Sequence, residues 1–217
     1  MILYWLGMFG IAAFAITGVI SSGKRDMDLF SLVVLGMVTS LGGGTIRDVI
    51  LSVETVYWVK DTSYLWVAAA SSVFAFFAVR FIENRQTIFH YADSFGLALF
   101  TVVATENVLR LGFSATIAVT MGVITGIAGG IIRDLLSNRA PLVLGREFYA
   151  TPALLGALFI VLLNDVFPSH PYNAIYATTL IVVLRLFAIH KGLYYPSWLL
   201  YKKRAATTEE LPHEPRK

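Results

Sequence analysis

The sequence predicts an all-α polytopic membrane protein: seven transmembrane helices, built as two inverted three-helix repeats plus a seventh helix. Three observations carry this. Only 14% of the 217 residues are charged and the mean hydropathy is +0.70, whereas about a quarter of a soluble domain is charged. Long uncharged stretches recur, each near the ~18–20 apolar residues that cross a bilayer. The first half of the chain also reappears in the second at a fixed offset.

The uncharged stretches are 1–23, 29–46, 62–79, 111–132 and 148–164, with weaker ones at 94–109 (interrupted by Glu106) and 171–190 (interrupted by Arg185). Short alternating segments are absent, which argues against a β-barrel. The first stretch lacks a basic leader and is followed by Lys24-Arg25, the reverse of a cleaved signal peptide, so it is expected to remain as a span. With the N-terminus outside, only Arg47, Lys60 and Arg110 of the 17 basic residues fall on the outer side. That bias places the C-terminus in the cytoplasm. The net charge of +3 therefore reports topology, and nucleic acid is not an expected partner. There is no cysteine. The polar end of the chain reads as a disordered cytoplasmic tail.

Sliding the sequence by 86 positions brings Gly43-Gly44 onto Gly129-Gly130 and Arg47-Asp48 onto Arg133-Asp134. The same offset aligns Phe14 with Phe100, Gly36 with Gly122 and Thr39 with Thr125, and sets Lys60-Asp61 on Arg146-Glu147. Each copy holds three spans, so the second enters the membrane from the opposite side. The expected divisions are 1–86, 87–168, a seventh helix at 169–192 and the tail at 193–217. Inverted repeats with interrupted helices are a recurrent arrangement for moving solutes.

The interruptions are expected at Gly42, Gly43, Gly44 and at Gly129, Gly130. Glycine costs about 1 kcal/mol relative to alanine within a helix, so clusters favour a kink or an unwound turn with freed carbonyls. Close helix packing at small residues is the competing explanation, strongest for Gly36 and Gly122. Arg47 and Asp48 are neighbours in sequence, as are Arg133 and Asp134. Adjacent side chains diverge on a helix, so each charge is expected to find its partner elsewhere. Inverted symmetry suggests Arg47 with Asp134 and Arg133 with Asp48.

The remaining polar candidates are weaker. Asp93 either caps the start of the fourth span or joins the charged gating network. Glu106, near that span's outer end, is a further candidate for that network, as are Lys60, Arg146 and Glu147. Thr39 and Thr125 sit one turn before the glycines, where they either hydrate a passage or bond their own helix. The four histidines lack metal-ligand spacing. With no nucleophile–base arrangement or Walker loop, enzyme activity is not expected.

GGGTIRD at 42–48, its echo GIAGGIIRD at 126–134 and PLVLGREFYAT at 141–151 resemble the prokaryotic branch of the TRIC family, the trimeric intracellular cation channels. The resemblance covers residues 5–192. It implies a homotrimer in a bacterial or archaeal plasma (inner) membrane. Each protomer would conduct potassium or sodium ions along the kinked second and fifth helices. No cofactor is implied beyond permeant ions and bound lipid. Arg47-Asp48-Val49 corresponds to the Lys-Glu-Val motif of animal members, whose basic residue engages a phosphoinositide. Arg133, Arg146 and Glu147 fall on the second repeat's charged motifs. Two departures, Ala128 and Gly145, suggest a milder second kink and a less positive inner mouth. The expected gates are hydrogen-bonded networks around Arg47 and Arg133. The alternatives are a secondary transporter of a small zwitterion such as glycine, and a lipid-interacting structural trimer.

Overall fold

The computed structural model describes residues 1–22, 27–81, 84–168 and 170–196. Lys24-Arg25 and the tail from 197, with its expected disorder, lie outside the described residues. The α-helices are α1 (Ile2–Ser21), α2 (Leu29–Ile50), the short α3 (Tyr57–Lys60), α4 (Ser63–Ala78), α5 (Arg85–Arg110), α6 (Ala115–Leu136), α7 (Ala150–Val166) and α8 (Asn173–Lys191). Six of these, α4 counted with the 3-10 turn that extends it, are long and apolar enough to cross a membrane. The seventh candidate, α7, has 17 apolar-rich residues. At 1.5 Å per residue that is about 25 Å, the short end of what spans a bilayer.

Local chemistry sets several helix ends. The Asp28 carboxylate accepts the Ser31 N–H at 2.7 Å and caps α2. Asn84 accepts the Thr87 N–H at 3.2 Å and starts α5 at Arg85, ahead of the expected boundary at 94. Asp93 is consequently interior to α5 and caps nothing, a correction to the sequence expectation. The ends of α2 and α6 match each other. Ser52 (φ 51°) and Asn138 (φ 55°) both turn left-handed. In each case the next N–H returns to the aspartate carbonyl, Val53 to Asp48 at 2.9 Å and Arg139 to Asp134 at 2.7 Å. This is the left-handed helix stop, reproduced at the 86-residue offset.

Four helices make the centre: α1 pairs with α5 and α2 with α6, while α4 covers α1 and α2, and α7 covers α5 and α6. The covering helix α8 packs on α5 and α7, outside the repeat. A Cβ on Gly43 would strike the carbonyl oxygen of Thr125, and one on Gly129 the carbonyl oxygen of Thr39. As one index falls by four the other rises by four, so α2 and α6 cross antiparallel about a two-fold axis. The α1–α5 pair obeys the same rule: Gly10 lies against Phe100 and Gly96 against Phe14. Phe14 and Phe100, aligned by the offset, stack with ring centroids 5.2 Å apart. Residues that touch their own repeat mates lie on the axis, and the repeats are inverted.

The glycines do not break their helices. Both α2 and α6 run without interruption through Gly42–Gly44 and Gly129–Gly130, which corrects the expected unwound turn. Their missing side chains are used for proximity instead, letting two backbones meet at the crossing. In a membrane, where lipid tails offer helices no hydrophobic drive to associate, such van der Waals contact is a principal source of packing energy. Outward faces carry Trp66, Phe74, Leu158, Leu162 and Phe187, all exposed.

Candidate functional site

The crossing places a charged cluster at each end. In the first repeat the Arg47 Nε donates to Asp48 Oδ1 at 2.7 Å and its terminal nitrogen approaches the same oxygen at 2.6 Å. The other Asp48 oxygen accepts the Tyr57 N–H at 2.9 Å. The Tyr57 ring fills the space beside Gly44 and lies 5.6 Å from the Arg47 guanidinium.

The second cluster repeats this plan and adds to it. Arg133 Nε donates to Asp134 Oδ1 at 2.9 Å, and Asp134 Oδ2 accepts the Leu142 N–H at 3.1 Å. Arg133 Nη1 donates to Asp93 Oδ1 at 2.6 Å and to the Thr17 hydroxyl at 3.1 Å. The Tyr149 hydroxyl also donates to Asp93 Oδ1, at 3.3 Å. Arg133 and Asp93 are both 0% exposed. Isolated charges are prohibitively costly in such a place, so mutual pairing is what allows them there.

Each arginine thus pairs with its own neighbouring aspartate. The expected exchange, Arg47 with Asp134 and Arg133 with Asp48, does not occur. The guanidinium reaches back to the adjacent carboxylate because its stem is long enough to overcome the divergence of neighbouring positions on a helix. The clusters consequently stay at opposite ends of the crossing.

Between them lie the threonines. Thr39 donates to the Leu35 carbonyl at 2.6 Å, while the buried hydroxyls of Thr101 and Thr125 have no hydrogen-bond partner among the described residues. The other candidates disperse. Lys60 and Arg146 are exposed at helix and loop ends. Glu106 accepts from Arg110 at 3.1 Å and from Asn164 Nδ2 at 2.6 Å. Asn164 in turn accepts from Asn173 at 2.9 Å, so this network ties α5 to α7 and α8. Glu147 lies 3.5 Å from the buried Arg185, whose Nη1 donates to the Phe148 carbonyl at 3.0 Å.

Four contributors escape sequence reasoning: Thr17, Phe89, Tyr149 and Arg185. Arg185 carried a visible signal, a lone cation inside an apolar span. Its guanidinium stacks 4.7 Å from the Tyr149 ring and so touches the Asp93 cluster through one residue. Among the described residues no cluster of three metal-ligating side chains forms.

Fold and site together define an inverted-repeat integral membrane protein with an ion-paired arginine at either end of a helix crossing. A family profile described as "Glycine transporter" matches residues 4–80 and 90–165. The chain belongs to this family. It is 40% identical over 202 residues to a UPF0126 membrane protein of Vibrio cholerae, covering 93% of this chain and 84% of the relative. It is also 40% identical over 205 residues to the UPF0126 inner membrane protein YadS of Escherichia coli K12, covering 92% and 98%. The solved TRIC orthologue from Rhodobacter sphaeroides superposes with a TM-score of 0.84 at 35% identity, over 88% of this chain and 99% of that one. A TRIC cation channel solved to explain conductance gives 0.83 at 32% identity, over 95% and 100%. Two functional descriptions thus stand side by side, glycine transporter for the family profile and cation channel for the solved structures.

Proposed function

We propose that the protein is a monovalent cation channel, permeable to potassium, with a conduction path in each protomer of a homotrimer. The path runs along the crossing of α2 and α6. The observation that carries this reading is the alternation found there: unpaired threonine hydroxyls in the middle, and a neutralised Arg–Asp pair at each end. The close superposition on solved TRIC channels supports it.

The described conformation is a closed one on this reading. Gly43 and Gly129 bring backbone against backbone, and Phe14 and Phe100 stack on the axis beside them. Opening requires α2 and α6 to part, which exposes Thr39, Thr101 and Thr125 to water and to the ion. Arg133 and Arg47 act as gates whose charge must stay paired during passage. A unit charge 4 Å from an unpaired guanidinium meets about 4 kcal/mol of repulsion at an effective dielectric of 20. The acidic partners therefore both hold the gate shut and make it tolerable to a cation. Asp48 already occupies Arg47, which weighs against capture of a lipid phosphate by that arginine in this conformation. The charge bias of the loops supports an outer N-terminus and a cytoplasmic C-terminus in an inner membrane.

Glycine transport is the second reading, favoured by the family description. A carrier needs helix ends or a cation free to take the substrate carboxylate. Here both helices are continuous and both arginines already hold carboxylates, which favours the channel. Purified protein in planar bilayers tests the choice. Step-like potassium currents that change in Arg133→Ala and Arg47→Ala support the proposal. Saturable glycine uptake into liposomes without unitary currents overturns it.

A further inference from the structure

Phe89 occupies α5 one turn before Asp93 and is 2% exposed. The Arg133 guanidinium carbon lies 4.5 Å from its ring centroid, and that of the half-buried Arg139 lies 5.8 Å from the same centroid. Arg133 Nη1 and Nε are engaged by carboxylates and the Thr17 hydroxyl, but the buried Nη2 has no acceptor among the described residues. The face of the Phe89 ring thus lies against a guanidinium whose hydrogen bonds are incomplete.

The repeat makes the arrangement specific to one end. The 86-residue offset carries Phe89 back to Leu3 and Arg139 back to Val53. Among the described residues, Arg47 has neither an aromatic residue at that position nor a second arginine over a shared ring. It meets Tyr57 at the longer distance of 5.6 Å.

We infer that Phe89 is a positioning residue for Arg133: the π-face of its ring holds the guanidinium against Asp93 in the closed conformation. This rests on the reading of Arg133 as a gate. A cation over an aromatic face is attracted to the ring quadrupole, and the attraction grows when both are desolvated, as they are here. An open conformation that withdraws Arg133 from Asp93, with Asp134 keeping its charge paired, must also lift it from the ring. Phe89 therefore biases the gate towards closure, and loss of the ring's electrostatics should shift the closed-to-open ratio by roughly tenfold.

Fluorinated phenylalanines at position 89 separate ring electrostatics from packing, because successive fluorines drain the quadrupole with little change of shape. The expected result is a graded rise in open probability from Phe through mono-, di- and trifluoro-Phe in planar bilayers. A second readout does not depend on conduction. The chain has no cysteine, so Thr125→Cys is a clean reporter of water entering the crossing. Its modification by a charged methanethiosulfonate should accelerate in the same graded order. Phe89→Leu should behave like the most fluorinated ring, and Phe89→Trp should slow modification or leave it at the Phe rate. Modification rates that are flat across the fluorinated series, with only Phe89→Leu differing, would assign Phe89 to packing and overturn the inference. Absence of unitary currents from every variant would refute the channel reading, while the modification series would still decide the role of Phe89.

Discussion

Replacing Asp93 by asparagine removes one charge from the most deeply buried ion pair among the described residues and changes little else in shape. In the parent, Asp93 Oδ1 lies 2.6 Å from Arg133 Nη1 and also accepts from Tyr149. Stripping one partner from a buried pair costs about 3–5 kcal/mol, because the remaining charge is left uncompensated. Arg133 keeps Asp134 and Thr17, and the amide oxygen of asparagine still accepts, so the expected loss is smaller, about 2–3 kcal/mol. Neutralising Arg133 at the same time, in Asp93→Asn/Arg133→Gln, removes the stranded charge. The double variant should be at least about 1 kcal/mol more stable than the two single losses added together. Reversible unfolding in detergent micelles, followed by helicity, measures all three variants. Additive losses, or an Asp93→Asn variant as stable as the parent, would refute the argument that the pair is held by mutual neutralisation. Glu106→Gln is the comparison: the Arg110 side chain is 65% exposed and the glutamine oxygen can still accept from Asn164, so that change should cost less than about 1 kcal/mol.

Other expected outcomes concern the crossing and the helix ends. Gly43→Ala and Gly129→Ala each force a methyl group onto a backbone carbonyl and should cost about 1–3 kcal/mol, read as a lower unfolding midpoint. Gly42→Ala meets only the flexible end of Ile132 at 2.8 Å and should be the mildest of the three. Ser52→Gly relieves a left-handed serine and should stabilise by up to about 1 kcal/mol, with a smaller gain for Asn138→Gly because asparagine tolerates that conformation. At Asp28 the Ser31 N–H holds the carboxylate below its ordinary value of 3.8. A depressed folded value means the cap's contribution is present above that pH and is lost as pH falls through the folded value. Asp28→Asn, which still caps, should abolish this acid-side dependence in a helicity titration.

The architecture was legible because hydrophobic length and an ungapped offset are global signals, and small errors at span ends do not disturb them. The site was less legible, for reasons that differ by residue. Asp93 was a named candidate without a foreseeable partner: the offset carries it back to Gly7, so the repeat offers no counterpart to point to Arg133. The neighbouring Arg–Asp pairing turns on side-chain reach, which helix periodicity does not encode. The glycine clusters admitted both a break and a close approach, and only the location of Thr39 and Thr125 across the crossing decides for the latter. Phe89 and Tyr149 are aromatic residues in an apolar sequence, indistinguishable from ordinary core until the guanidinium beside each is located.

The stacking of Phe14 on Phe100 has a bearing on how such a molecule can vary. A side chain that rests on its own counterpart describes the seam of two interchangeable halves, of the kind two separate copies of a three-helix unit would form when inserted in opposite directions. In that arrangement every substitution is made twice. A carboxylate suited to one end would be duplicated at the other, and so would its burial cost. Covalent joining releases the halves from this bond, so that glycine stands at position 7 and aspartate at position 93. The seam keeps the symmetric residues alike, while the ends are at liberty to become an inside and an outside.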